Sequence, residues 1–141
     1  MFKTICVPVD GSEYSYSAAD VAMEIAKKFS SKIVAVHVLE EFSMNNYGDE
    51  ERRGDEILAE VSKKGAEAGI EVVEHLLTAD ALRDMKFIIN QTNTDLVDIH
   101  AYGSDNSRFV SFEENNVSDH KIGSVSERLL RNSNVPVLLV R

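Results

Sequence analysis

The chain has 141 residues, of which 43% are hydrophobic and 28% charged, with only 7 Gly and 2 Pro. This length and composition are typical of one globular domain, so we expect residues 1–141 to form a single domain. The same composition excludes disordered and collagen-like chains. The formal net charge of −9 argues against nucleic acid and anionic membranes as partners, because both attract clustered positive charge. The single cysteine, Cys6, excludes an intrachain disulfide, which favours the cytoplasm.

The first elements are a strand, a helix and a second strand. The short apolar run Lys3 to Val9 ends in the turn signal Asp10-Gly11-Ser12, which predicts a strand. Apolar residues between Ala18 and Phe29 follow the spacing of one helix face, which predicts an amphipathic helix. The β-branched run Lys32 to Leu39 is almost continuously apolar, as in a strand covered on both faces.

The same criteria extend the alternation to the end of the chain, and no apolar stretch reaches the 18 or more residues of a membrane span. The remaining predicted elements are a helix over Asp49 to Ala68, a strand over Glu71 to Leu77, a helix over Asp80 to Gln91, a strand over Leu96 to Tyr102, a helix over 122–130 and a strand over Val135 to Val140.

Strict alternation of strands and helices predicts an α/β fold. Right-handed crossovers then give a doubly wound, five-stranded parallel sheet with helices on both faces, for which we expect the order 3-2-1-4-5. In that order the chain changes direction between strands one and four, and ligands bind in the crevice beyond the carboxyl ends of those strands. The residues predicted to border this crevice are Asp10 to Ser12, His100 to Asn106, and Gly123 with Ser124.

Three segments resemble the universal stress protein family, and the resemblance covers nearly the whole chain. They are Val-Pro-Val-Asp-Gly-Ser at 7–12, His-Ala-Tyr-Gly-Ser at 100–104, and Gly-Ser-Val-Ser-Glu-Arg-Leu-Leu at 123–130 followed by Val-Pro-Val-Leu-Leu-Val at 135–140. The resemblance implies a small cytoplasmic protein of adenine-nucleotide α-hydrolase-like fold, usually a homodimer. Some members bind ATP or AMP at the crevice and others bind no nucleotide, and no defined catalytic reaction is implied.

The glycine pattern of the nucleotide-binding members is incomplete here. That pattern is Gly, two residues, Gly, nine residues, then Gly with Ser or Thr. In one alignment Gly103 matches the second glycine and Gly123 the third, with His100 in the first position. In the other, Gly103 is the first glycine and Asn106 occupies the second position, and either alignment leaves the segment of about 104–120 as an insertion. Glycines allow backbone N–H groups to approach phosphate closely, so a histidine here is expected to crowd the phosphates or the chain path.

The resemblance implies a set of site residues, with ATP or AMP as ligand, with or without Mg²⁺. The residues implied to hold base and ribose are Val9, Asp10 and Val38, and those on the phosphate side are Gly103, Gly123, Ser124, Val125 and Ser126. Independently of the family, a helix beginning at Gly123 and Ser124 offers free backbone donors and a positive dipole end for an anion, with Lys121 and Arg128 nearby. Asp10 suits a ribose hydroxyl, and equally the N–H groups of its own turn.

Asp98 and His100 share one face of a predicted central strand, where polar residues are unusual. The pair suits a metal or acid–base site, and it also suits a buried pair hydrogen-bonded to each other or to the helix above. No third ligand stands beside the pair in the sequence, which favours the second interpretation.

Three functions follow for this fold. The first is a stress-response protein that holds ATP or AMP as a structural or signalling ligand, with at most slow hydrolysis. The second is an interaction module without nucleotide, whose crevice His100 or the 104–120 insertion would block. The third is an enzyme of the wider nucleotide hydrolase class. The sequence argues against it, because it contains neither a Walker A loop nor a Ser-Gly-Gly-x-Asp-Ser loop.

The apolar final strand, 135–140, is expected at the sheet edge and predicts a homodimer.

Overall fold

Five strands and four helices alternate along the chain. The structure, a computed structural model, describes residues 1–41, 46–102 and 122–141. The elements are β1 (Thr4–Pro8), α1 (Glu13–Phe29), β2 (Lys32–Glu40), α2 (Tyr47–Ala68), β3 (Val72–Ala79), α3 (Ala81–Gln91), β4 (Leu96–His100), α4 (Ser124–Asn132) and β5 (Val137–Val140).

The five strands form one parallel sheet in the order β3-β2-β1-β4-β5, which confirms the predicted fold class and strand order. Strand β1 pairs with β2 on one side and with β4 on the other, so the chain changes direction across the sheet at β1. The carboxyl ends of β1 and β4 therefore border the crevice at the switch point, where ligands of such sheets bind.

Each face of the sheet carries its own hydrophobic core, because successive side chains of a buried strand point to opposite faces. In β1, Ile5 and Val7 pack under α1 and α2, whereas Cys6 packs under α3 and α4. Burial raises the pKa of Cys6 to about 12, so this thiol stays protonated and unreactive. Within the described ranges, no helix is both long and apolar enough to cross a membrane.

Every element differs from its predicted bounds at one end or both, by one or two residues except at the start of α1. Helix α1 begins at Glu13 instead of Ala18, because the Ser12 side chain caps its first turn. The Ser12 hydroxyl accepts a hydrogen bond from the Ser15 N–H at 3.1 Å, so the helix includes a turn that the apolar pattern does not mark. Strand β4 ends at His100, two residues before Tyr102. Strand β5 begins at Val137 instead of Val135, which hydrogen-bonds to the Ser133 side chain.

Candidate functional site

The turn after β1 places a carboxylate at the switch point. Gly11 has a φ of +87°, a conformation that side chains resist, and it turns the chain from β1 into α1. Asp10 Oδ1 accepts from the Ser12 N–H at 2.8 Å, as expected for an aspartate in a turn. Asp10 also lines the crevice, so one residue serves the turn and the site together.

His100, at the end of β4, donates to the second carboxylate oxygen of Asp10. Its Nε2 lies 3.3 Å from Asp10 Oδ2, and the imidazole is largely buried while the Asp10 side chain is 32% exposed. Burial by itself raises the pKa of Asp10, but the hydrogen bond and charge attraction from His100, together with Ser12, outweigh it and hold the pKa well below its ordinary value. Asp10 is therefore an anion throughout the physiological range.

Of the arrangements that the sequence left open for Asp98 and His100, a hydrogen bond between the two side chains is not made among the described residues. His100 bonds instead to Asp10, which follows the neighbouring strand β1. Asp98 is fully buried, and neither of its carboxyl oxygens has a hydrogen-bond partner among the described residues. Burial raises the pKa of Asp98 to about 8, so the group is a neutral acid at pH 7.

The end of β2 forms one wall of the crevice. Val38 packs with the core under α3 and α4, and His37 points to the opposite face, where its Nδ1 donates to the Val9 carbonyl oxygen at 2.7 Å. This bond joins the ends of β1 and β2 beyond their last ladder pair. Glu40 follows at the rim; partial burial raises its pKa, and its carboxylate accepts from the Ala81 N–H at 3.4 Å.

Helix α4 begins directly against the end of β4. The Gly123 N–H donates to the Ala101 carbonyl oxygen at 2.7 Å, and the Ser126 hydroxyl donates to the His100 carbonyl oxygen at 2.7 Å. No side chain in the described part of the chain caps this helix at Gly123. The start of a helix offers backbone N–H donors that suit an anion.

These elements enclose an open crevice of about 330 Å³, at the lower end of the roughly 300–1,000 Å³ typical of small-molecule sites. Its apolar floor lies on the α3–α4 side of the sheet. The lining residues are Pro8, Val9, Asp10, Val36, His37, Val38, Glu40, Ala81, Met85, Ile99, His100, Gly123, Ser124, Val125 and Ser126.

Seven of the eight sequence-predicted site residues line this one crevice. They are Val9, Asp10, Val38, Gly123, Ser124, Val125 and Ser126. The eighth, Gly103, lies outside the described residues, as do the 104–120 insertion and Lys121. Arg128, expected to assist the anion site, lines a separate groove between α3 and α4.

Sequence reasoning did not include His37, Glu40 and Met85 among the site residues. His37 and Glu40 carry a recognisable signal, since both are polar and stand at the carboxyl end of an otherwise apolar strand. Met85 carries none, because its position on the inner face of α3 fits an ordinary core residue. No cluster of three or more His, Cys, Asp or Glu side chains within residues 1–41, 46–102 and 122–141 is arranged to hold a metal ion.

Comparisons with known proteins agree with this geometry. The curated universal stress protein MJ0531 of Methanocaldococcus jannaschii is 25% identical over 151 residues, which cover 100% of this chain and 83% of the relative. A solved universal stress protein of Archaeoglobus fulgidus in complex with dAMP shares 19% identity, with a TM-score of 0.74 over 100% of this chain and 98% of its own.

A universal stress protein family structure of Arabidopsis thaliana with AMP bound shares 17% identity, with a TM-score of 0.67 over 98% of this chain and 90% of its own. At these identities the two structures show the shared fold alone. The model of the universal stress protein family, in contrast, matches residues 1–141 by sequence. Because that match spans the full sequence and the strand order agrees with it, the chain belongs to the universal stress protein family.

Proposed function

We propose that this protein binds an adenine nucleotide, ATP or AMP, in the crevice beyond β1 and β4, as a structural or signalling ligand. The observation that carries the proposal is the convergence of Val9, Asp10, Val38 and the start of α4 on one crevice. The residues come from three strand and helix ends that are far apart in sequence, and each supplies a different chemistry. The dAMP and AMP complexes of proteins with this fold support the same ligand class.

Each part of a mononucleotide has a counterpart in the crevice. The apolar floor of Val36, Val38 and Ile99 suits the flat face of a base. The Asp10 carboxylate suits a ribose hydroxyl, because a carboxylate accepts hydrogen bonds from hydroxyl groups. The uncapped start of α4 suits a phosphate.

The histidine in the first glycine position leaves the crevice open. His100 lies along the wall with its ring turned to Asp10, and the described residues still enclose about 330 Å³. The competing interpretation, an interaction module of the same fold that binds no nucleotide, expected His100 or the 104–120 insertion to block this space, and the insertion lies outside the described residues. The geometry of His100 therefore favours the nucleotide, and the interaction module remains as the alternative outcome of the test.

The test is calorimetric titration of nucleotide-free protein with ATP, ADP and AMP, with and without Mg²⁺. We expect micromolar binding that Asp10→Ala and Ser124→Ala each weaken by about tenfold or more, the cost of one lost hydrogen bond to a charged group. The exposed positions of Asp55→Ala and Ser17→Ala make them matched controls that keep the affinity. No binding up to millimolar nucleotide would overturn the proposal and leave the interaction module.

We propose further that residues 1–141 form one domain with an insertion at about 104–120, and that the protein acts in the cytoplasm as a homodimer. Strand β5 is at the edge of the sheet, and all four of its residues are only half-buried. Pairing of segment 135–140 with a second copy about a two-fold axis would cover this edge. The nucleotide is then held and not efficiently turned over, with at most slow hydrolysis.

A further inference from the structure

A second cavity lies beside the crevice, in the groove between α3 and α4. Its volume is about 240 Å³, and Met85 and Val125 line both the groove and the crevice, so the two cavities adjoin. The other lining residues of the groove are Leu82, Arg83, Lys86, Arg128, Leu129 and Asn132. A ligand that fills the crevice can therefore extend into the groove between Met85 and Val125.

The groove and the crevice carry opposite charges. The described lining of the crevice includes two carboxylates, Asp10 and Glu40, and neither lysine nor arginine. The groove is lined by Arg83, Lys86 and Arg128, and no acidic side chain belongs to its described lining. In a chain of net charge −9, this cationic groove is a place beside the crevice where an anionic part of a ligand is stabilised.

The charge of Arg83 is already compensated within the protein. Its guanidinium lies 2.8 Å from Asp84 Oδ1 and 3.1 Å from Glu41 Oε1. The binding of a further anion would have to compete with these two carboxylates, so Arg83 contributes least to the anion affinity of the groove.

The charges of Lys86 and Arg128 are available to a ligand. Neither side chain forms an ion pair with any residue that the structure describes. Glu127, next to Arg128 in the sequence, pairs with Arg131 at 3.1 Å. Both Lys86 and Arg128 are exposed, so an anion in the groove reaches them without breaking an existing bond to a described residue.

Helix geometry directs both side chains towards the crevice. Helices α3 and α4 begin at the carboxyl edge of the sheet, where Ala81 and Ser124 line the crevice. The Cα–Cβ bonds of an α-helix tilt towards its N-terminus, so a long side chain covers the turn before its own position. Lys86 follows Leu82 by one turn, and Arg128 follows Ser124 by one turn, so each cation covers the start of its helix.

We propose that the groove between α3 and α4 is a second subsite of the nucleotide site, in which Lys86 and Arg128 bind the phosphates that a ligand carries beyond its first. This inference rests on the proposed nucleotide function. With the first phosphate at the start of α4, the phosphate chain of ATP continues over Val125 and lies between Arg128 and Lys86. The protein then prefers ATP to AMP, because each further phosphate brings negative charge to an uncompensated cation.

The experiment titrates the protein and its Lys86→Gln and Arg128→Gln variants with AMP and with ATP in a calorimeter. Mg²⁺ is left out, because it would itself neutralise the phosphate chain. Wild-type protein should bind ATP about tenfold more tightly than AMP. Each variant should weaken ATP binding by about threefold or more, the size expected for an exposed ion pair, and keep the affinity for AMP. The double variant should bind the two nucleotides about equally.

Two exposed cations outside the groove provide matched controls. Arg131 is on the same helix as Arg128, and Lys63 is on α2. Arg131→Gln and Lys63→Gln each remove one positive charge and should keep the wild-type ratio of ATP affinity to AMP affinity. Lys86→Glu reverses the charge and should weaken ATP binding more than Lys86→Gln does. Thermal unfolding checks that each variant is folded.

Failure of this inference is distinguishable from failure of the proposed function. If neither nucleotide binds, the nucleotide function is wrong and the inference falls with it. If both bind but wild-type protein does not prefer ATP, or if Lys86→Gln and Arg128→Gln keep the ATP affinity, the function stands and the groove is not a subsite. An equal loss of AMP and ATP affinity would also overturn the inference, because the cations would then act at the first phosphate.

Discussion

Asp98 is an ionisable side chain in the interior of the sheet with no hydrogen-bond partner among the described residues. Its pKa of about 8 lies above the ordinary value of 3.8, so between these limits the folded protein binds more protons than the unfolded chain. The stabilising contribution of the protonated form is complete below about pH 4 and is lost as the pH rises through 8.

We therefore expect Asp98→Asn, which is neutral at every pH, to remove this part of the pH dependence. From pH 5 to pH 8 the free energy of unfolding of wild type should decrease. That of the variant should decrease by a smaller amount, and the difference between the two decreases should be at least about 1 kcal/mol. Urea denaturation at the two pH values measures both differences. Asp55→Asn, on the exposed face of α2, is the control, and parallel pH profiles for wild type and Asp98→Asn would contradict the prediction.

Asp98 and His100 show that the pattern of a single strand does not predict the hydrogen-bond partners of its polar side chains. The alternation of a strand correctly placed Asp98 and His100 on one face, but the partner of His100 depends on which strand lies beside β4. Residues 10 and 100 are brought together by the β1–β4 pairing, and sequence spacing carries no distance between them. The function of a polar residue in a strand therefore follows from its neighbours across the sheet.

At the scale of elements, α2 packs against the sheet through two glycines. Gly54 and Gly65 are both buried and share a stripe with Leu58 and Val61. A Cβ at position 65 would overlap Val72 Cγ2 and come within 2.9 Å of the Ile70 carbonyl oxygen. The sequence predicted a surface helix with a thin apolar face, but it did not reveal that two glycines permit this contact.

Gly65→Ala tests the importance of this close approach. Helix propensity alone would make alanine stabilising by about 1 kcal/mol, whereas overpacking against Val72 and Ile70 should lower the free energy of unfolding by about 1–3 kcal/mol. Ala66→Gly, at the exposed neighbouring position, is the control and should lose about 1 kcal/mol through propensity. A stabilised Gly65→Ala in denaturant unfolding would show that the helix can move away from the sheet.

At the scale of the whole molecule, the open edge of β5 underlies the proposed dimer. The Pro136 carbonyl oxygen accepts a hydrogen bond from the Val97 N–H of β4 at 2.9 Å, and the Val140 carbonyl oxygen accepts one from the Ala101 N–H just after β4 at 2.7 Å. The backbone of Leu139, which is out of phase with Pro136 and Val140, therefore points away from β4. In a parallel pair, alternate residues bond to the same neighbour, which leaves the Leu139 N–H at the open edge.

We expect Leu139→Pro to yield monomers, because proline removes this outward N–H without removing a bond to β4. Leu139→Ala shortens the side chain but keeps the N–H, and it should remain dimeric. Sedimentation velocity across a concentration series measures both states, and thermal unfolding confirms that each variant is folded. A wild-type chain that stays monomeric at high concentration would refute the dimer.

The sequence by itself determined the element order, the fold class and the strand order of this protein. Periodicity of apolar residues fixes strand and helix locally, and the handedness of crossovers leaves few ways to arrange alternating elements. The convergence of Asp10 and Ser124 on the switch point followed from that order. Only the tertiary structure decided that His100 turns to Asp10, that Asp98 has no partner within the described residues, and that α2 rests on its glycines, because such contacts depend on distances across the sheet that local spacing does not contain.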